Sequence, residues 1–266
     1  MTLEIVAVLE EDPDLAGTLD GPRLAAAQRE LRAAAVDVPT GRWDPTPQVR
    51  AAKDGFGLLV LDGAIARRLG TRRRSGAELI GVGDILRPWQ GELSDSSMPF
   101  DISWRVIEPV RMALLDSRFL MRVAPYPEIA ASLVGRAVGR ARNVLTHMAI
   151  AHHPRVDERL LLLLWHMADR WGRVTPHGVS LSLRLTHELL ADLIAVQRPS
   201  VTLSLQQLER QGRIARDSGK ILLLGQPPFA ADGDAEEDDG EPPPETARPK
   251  ISRRQTPDDV QRALAS

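Results

Sequence analysis

The stretch LTHELLADLIAVQRPSVTLSLQQLERQGRI, residues 185–214, decides how the rest of the chain is read. Thr186 is a predicted helix N-cap, and Leu189, Leu190, Leu193 and Ile194 give a first short helix one apolar side. The pattern breaks at Ala195-Val196-Gln197. It resumes with Val201, Leu205 and Leu208 at steps of four and three, and Ile214 continues the core. Pro199 is tolerated in the first turn of the second helix, because the N–H it lacks would have no helical partner there. Polar groups gather at the start of that helix, the end that a helix lying in the DNA major groove presents to base edges. Arg198 has the fork to grip guanine, Gln206 the amide to read adenine, and Ser200 and Thr202 hydroxyls suited to phosphate. The segment IARDSGKILLLG (214–225) reads as a hairpin with Asp217-Ser218-Gly219 at its tip, flanked by Arg216 and Lys220. Helix, turn, helix and wing predict a winged DNA-binding module over 154–228, with Thr186, Gln197, Arg198, Pro199, Ser200, Thr202, Leu203, Gln206, Arg216 and Lys220 as candidate DNA contacts.

Upstream, residues 127–152, PEIAASLVGRAVGRARNVLTHMAIAH, open with the proline and glutamate of a helix start. Val134, Val138, Ala141, Leu145 and Met148 then recur at alternating steps of four and three, a seam suited to pairing with a second copy of the same helix. The same periodicity fits a stripe that covers a neighbouring domain, and Leu133, Ala137 and Val144 form a second stripe able to serve that contact. PRVDERLLLLLWHMADRW (154–171) predicts a further helix, and VSLSLRL (179–185) a half-buried strand. Before the long helix the chain is punctuated by glycine: GFGLLVLDGAIARRLG, TRRRSGAELIGVGDIL, ISWRV and PVRMALL predict a β domain over roughly 40–115. Asp62-Gly63 between two apolar runs predicts a hairpin turn, and Arg72-Arg73-Arg74 a solvated hairpin tip. Trp43, Trp89 and Trp104 are expected in the β core, and PRLAAAQRELRAAA predicts a short helix over about 22–36.

Composition narrows the function classes. With 266 residues, 43 % apolar and 26 % charged, the chain has the make-up of a globular protein rather than a fibre. No apolar run approaches a membrane span, and the acidic N-terminus is unlike a secretion signal, so a cytoplasmic protein without membrane attachment is expected. The absence of cysteine excludes disulfides, thiolate iron–sulfur ligation, thiol nucleophiles and cysteine zinc sites. Residues 229–266 hold ten acidic against five basic residues, so the overall net charge of −2 hides a mildly basic body. AADGDAEEDDGEPPPETARPK (230–250) is proline-rich and nearly free of large apolar residues, the make-up of a disordered acidic tail. SRRQTPDDVQRALAS beyond it predicts a frayed helix. The tail is expected to compete with DNA for the basic face.

The helix-turn-helix stretch followed by DSGKILLL resembles the DNA-binding end of the cyclic-AMP receptor protein / fumarate-nitrate regulator (CRP/FNR) family, ungapped across both helices and into the wing. The order of elements over residues 40–225 is similar as well. The resemblance implies an α+β protein: an N-terminal β-roll of the cyclic-nucleotide-binding kind within 1–125, a dimerisation helix at 126–153 and a C-terminal winged helix-turn-helix. It implies a homodimeric, sequence-specific transcription regulator that binds double-stranded DNA, with RNA polymerase as a partner if it activates. Arg198 takes a base-reading position and Ser200 a phosphate-contacting one. Pro199 and Leu203 stand where the best-known members carry an acidic and a basic base-reader, so a different operator is expected, with Leu203 placed to touch a thymine methyl. GVGDIL (81–86) and GELSDSSMPFDISW (91–104) resemble the family's effector cassette through Gly83, Asp84, Gly91, Glu92 and Ser103. Ile102 occupies the position of the phosphate-binding arginine, and Arg105, on the same strand face as Ser103, is the substitute cation. Cyclic nucleotide is therefore not expected, and a different small effector, or none, is. His147, His152 and His153 match no ligand template, so no haem or metal cofactor is expected. No nucleophile elbow, phosphate loop, zinc motif or paired carboxylates signal an enzyme. The rival reading is a β-roll with a winged helix that docks on protein.

Overall fold

The computed structural model describes residues 4–17, 19–52, 54–70, 75–87, 101–217 and 219–228. Residues 1–228 form one compact unit and 229–266, the acidic segment, a second that lies outside the described residues. A seven-stranded antiparallel sheet makes the N-terminal roll. Its strands β1 (Ile5–Ala7), β2 (Arg32–Val38), β7 (Asp101–Leu115), β4 (Gly57–Gly70) and β5 (Ser75–Gly81) lie side by side in that order. β3 (Gly41–Trp43) pairs with β7, and β6 (Ile85–Leu86) with β4. Leu58, Val60, Ile65, Ile80, Val106 and Met112 fill the interior beside Trp43 and Trp104, whose rings meet edge to face at 5.7 Å. Trp89 lies outside the described residues.

Asp62-Gly63 does not turn the chain. β4 runs through it as one strand, and the dipeptide sits in an irregular, bulged stretch where pairing slips from Val60↔Met112 to Asp62↔Arg111, then to Ala64↔Glu108 and Ile65↔Val106. Pro109 sits opposite the slip, where no ladder hydrogen bond asks for its missing N–H, so ISWRV and PVRMALL are one strand as well. Asp62 Oδ1 accepts the Gly63 N–H at 2.8 Å, and Gly63 has φ +85°. Across this stretch the alternation of β4 reverses. Before it Leu58 and Val60 face the roll interior; after it Ile65 does, while Ala64 and Ala66 turn outward into the core of the C-terminal domain. The actual hairpin joins β4 to β5 across residues 71–74, so Arg72, Arg73 and Arg74 fall in the connection but outside the described residues.

The helix expected over 22–36 stops early. Helix α2 (Gly21–Glu30) is capped by Asp20, whose side chain accepts the Arg23 N–H, and Leu31 closes it. From Arg32 the chain is β2, with Ala34 and Val36 paired to Leu114 and Met112. Alanine-rich sequence favours helix locally, and the ladder offered by β1 and β7 overrides it. Short helices α1 (Val8–Glu11), α3 (Thr46–Ala52) and α4 (Ser117–Val123) border the sheet. Leu9, Leu15, Phe119, Val123, Ile129 and Leu133 cover its second face.

Helix α5 (Pro127–Ala151) buries apolar groups at its two ends, Ile129 and Leu133 near its start and Ile150 at its finish, while one side of its middle meets the roll through Arg136–Asp12 and Arg140–Glu78. Between the ends Val134, Val138, Leu145 and Met148 are 56, 49, 64 and 52 % exposed, and Ala141 is exposed with them. Of the second stripe Leu133 is buried, whereas Val144 and Ala137 stay exposed. Helix α6 (Val156–Trp171) follows. Strand β9 (Gly178–Leu181) ends four residues short of the strand expected over 179–185, and it pairs in a hairpin with β8 (Gly172–Thr175), which the sequence reading did not predict. Helices α7 (His187–Leu193) and α8 (Arg198–Arg210) and the wing strands β10 (Ile214–Asp217) and β11 (Lys220–Leu223) complete the unit, in a sheet of order β10-β11-β9-β8. Among the described residues no helix is long and apolar enough to cross a membrane.

Candidate nucleic-acid interface

Thr186 caps α7, its Oγ1 accepting the Leu189 N–H at 3.1 Å. Leu189, Leu190, Leu193 and Ile194 are buried, as are Val201, Leu205, Leu208 and Ile214. Together they pack α7 and α8 onto Leu160, Leu161, Leu163, Leu164 and Met167 of α6. Ala195 takes φ +56° in the turn between the two helices. One residue that sequence reasoning passed over fixes this turn: the guanidinium of Arg159 donates to the carbonyl of Ile194 at 3.0 Å and to that of His153 at 2.6 and 3.0 Å. Three carbonyl contacts from one α6 side chain thus tie the end of α7 to the end of α5. Nothing in local periodicity marks such a residue.

With the apolar side packed, α8 presents Arg198, Pro199, Leu203 and Gln206 outward. Leu203 is 66 % exposed, a large apolar group facing outward. Gln197 is exposed beside them, and Ser200 is partly covered in the first turn. Thr202 differs from its expected role. Its hydroxyl is tied within the module, 2.9 Å from His187 Nδ1 and 3.3 Å from the carbonyl of Arg198. Arg216 is also committed, donating to both carboxylate oxygens of Glu209 at 2.6 and 2.7 Å. That fork-to-fork pair holds Glu209 below the ordinary carboxylate range and joins the wing to α8. Lys220 is exposed on the wing.

The module is seated on the roll by ion pairs. Arg68 of β4 meets Asp192 at 2.6 Å and Glu188 at 3.2 Å, both on α7, and Ser75 Oγ donates to Asp192 at 2.8 Å. Arg170 of α6 donates to Asp84 at 2.9 Å and to the Val82 carbonyl at 2.8 Å. Asp84, 5 % exposed, therefore serves the seam between roll and α6 rather than a ligand, and it also accepts the Gly81 N–H. Gly83 has φ +83°, and the Arg136 guanidinium, itself paired with Asp12, fills the space a side chain would need. Ser103 and Arg105 flank buried Trp104, so they lie on the outside of the roll with Arg42 and Arg68. Gly91 and Glu92 lie outside the described residues. The residues expected to form an effector pocket are thus not brought together among the described residues.

Two other concavities flank α5. A small cleft of about 40 Å³ between roll, α5, α6 and α7 is lined by Glu78, Arg140, His147, His166 and Arg170. His147 Nε2 is buried there without a partner, and burial holds both histidines below the ordinary imidazole pKa of 6.5. His147 therefore faces this interior seam, whereas His152 Nδ1 lies 2.7 Å from the Met148 carbonyl and His153 3.4 Å from Glu158. Among the described residues no cluster of three or more metal-ligating side chains is found. The second concavity, an open groove between β4–β6 and the middle of α5, is lined by Arg67, Glu78, Arg140, Ala141 and Leu145.

Comparison with known proteins agrees with this geometry. Residues 158–226 match the family model described as a Crp-like helix-turn-helix domain. The chain is 22 % identical over 134 residues to ycf28 of Porphyra purpurea, described as an HTH-type transcriptional regulator. That match takes in 50 % of this chain and spans only 56 % of the relative. Among solved structures, a CooA mutant from Carboxydothermus hydrogenoformans superposes with a TM-score of 0.55 at 18 % identity, covering 84 % of this chain and 93 % of that one. FixK2 from Bradyrhizobium japonicum gives 0.53 at 18 % identity, over 72 % and 92 % of the two chains. The c-di-GMP-responsive regulator CLP of Xanthomonas campestris gives 0.52 at 15 % identity, over 73 % and 95 %. The chain thus shares its fold with these solved structures over most of their length, and residues 158–226 match the Crp-like helix-turn-helix domain model.

Proposed function

We propose that the protein is a homodimeric, sequence-specific DNA-binding transcription regulator. The observation that carries this reading is α8 itself. Its buried side packs within the module, and its other side holds Arg198, Leu203 and Gln206 exposed at and beyond the helix start. The exposed seam of α5 supports the dimer: four large apolar side chains about half exposed or more along one helix need a partner, and the repeat is that of a paired helix. Two modules related by that helix pair would meet half-sites one helical turn apart. RNA polymerase is the further partner if the protein activates.

Control by a small effector in the groove beside α5 belongs to the same reading. Arg140 donates to both Glu78 oxygens at 2.7 and 2.9 Å, and Arg67 lies 3.9 Å from the same carboxylate. A cyclic phosphate would have to displace Glu78 from its pair, so cyclic AMP and cyclic GMP are poor candidates, and calorimetry is expected to find no micromolar binding of either. DNA binding is tested by gel shift with fragments of the protein's own promoter region at rising salt. Binding that weakens steeply with ionic strength supports the reading. No duplex affinity at low salt would overturn it in favour of a winged helix that docks on protein.

A further inference from the structure

One residue outside the outward face of α8 joins the starts of both helices. His187 is the first residue of α7, and its Nδ1 lies 2.9 Å from Thr202 Oγ1, which lies 3.3 Å from the Arg198 carbonyl. A threonine hydroxyl has one hydrogen. Given to the Arg198 carbonyl, that hydrogen leaves the oxygen to accept from the imidazole, so the neutral ring carries its proton on Nδ1 and a lone pair on Nε2. Among the described residues Nε2 has no hydrogen-bond partner, and it is not among the sealed polar atoms. The charged groups around the ring are Arg198 and Glu209 of α8, Arg216 of β10, Lys220 of β11 and Glu188 of its own helix. Glu209 is taken up by Arg216 and Glu188 by Arg68. Partial burial first, then the guanidiniums of Arg216 and Arg198, hold the imidazole below its ordinary pKa of 6.5.

A polyanion changes that balance. In a helix-turn-helix the first helix crosses the DNA backbone while the second lies in the groove, which brings a phosphate to the edge where α7 begins beside Arg198. We infer that His187 is a proton-linked anchor: as DNA binds, Nε2 takes one proton from solvent and donates it to a backbone phosphate, while Nδ1 keeps its bond to Thr202. The same residue thereby positions the turn that carries Arg198. The inference rests on the DNA-binding reading and adds a consequence that reading lacks, namely uptake of one proton per subunit on binding.

The test uses the full chain and a labelled promoter-region duplex, with affinity followed over about pH 6.5 to 8, above the range where the interior His147 and His166 take protons. Affinity per subunit should rise by up to about tenfold for each unit the pH falls. Calorimetry in phosphate and in Tris buffer should show the matching proton uptake. In His187→Gln, which keeps an amide donor toward Thr202 without a titrating group, both the slope and the buffer dependence should vanish, and affinity should fall most at the acid end, where the wild-type imidazole would carry its second proton. A slope that survives in His187→Gln, or wild-type binding without proton uptake, would overturn the inference and leave DNA binding intact. A wild-type protein that binds no duplex at any pH overturns both.

Discussion

At the scale of single residues, position in α8 separates readers from braces. Arg198 is exposed and, among the described residues, makes no ion pair, so its guanidinium is available to a base edge. Arg198→Ala should cost about 1–3 kcal/mol of binding and relax selectivity at one position of each half-site, measured by affinity for a set of singly substituted duplexes. An equal loss on every sequence would make Arg198 a phosphate contact instead. Gly63 carries a different kind of burden. It holds φ +85°, and a Cβ there would collide with the Pro109 carbonyl. Gly63→Val should therefore lose about 2 kcal/mol or more of stability, seen as a lower urea midpoint, whereas Gly76→Val on β5, whose side chain would point into open space, should lose far less.

At the scale of elements, α5 is a helix with one side against the roll and the other, the stripe from Val134 to Met148, bare. A soluble monomer rarely leaves such a row of valine, leucine and methionine uncovered. Leu145→Asp, at the most exposed of these positions, should shift the protein toward monomer in sedimentation equilibrium while leaving its circular dichroism unchanged, because Leu145 is 64 % exposed at the rim of the groove and outside the buried core. DNA affinity should fall with it, since two tethered half-site contacts become one. Unchanged mass would place the dimer interface elsewhere. Arg159 makes the complementary case: Arg159→Ala leaves the carbonyls of Ile194 and His153 short of donors and should loosen the helix-turn-helix without touching the seam of α5.

At the scale of the whole unit, the roll and the winged module share a core and an ionic seam. Ala64 and Ala66 of the roll pack with Leu160, Leu164 and Leu190, and Arg68, Asp84, Arg170, Glu188 and Asp192 close the rim. His147 and His166 sit inside that seam with their pKa held below 6.5, chiefly by burial. Above the unfolded-state value both states are neutral and nothing changes. As pH falls through about 6.5 the unfolded chain takes up protons that the folded one refuses, so stability should decline there. Thermal unfolding across about pH 5.5 to 7.5 should show the decline, and the double variant His147→Gln, His166→Gln should flatten it. A wild-type midpoint that does not move over this range would mean that the seam admits the charge without penalty.

The helix-turn-helix was legible in the chain because its signals are local. The N-cap Thr186, the apolar spacing of Leu189 to Ile194 and of Val201 to Leu208, and the placement of Pro199 all act within one or two helical turns. The bare seam of α5 was legible for the same reason, although only the fold showed that the roll leaves its middle uncovered. Tertiary structure decided whatever depends on a partner distant in sequence. Asp62-Gly63 is a bulge because β7 runs unbroken past it, and residues 32–36 are strand because two neighbours offer a ladder that an alanine-rich segment accepts. Thr202, Arg216 and Asp84, each readable as a ligand contact, are engaged by His187, Glu209 and Arg170 respectively. Periodicity reports which face of an element is buried; which polar group remains free to act is set by the side chain that folding brings beside it.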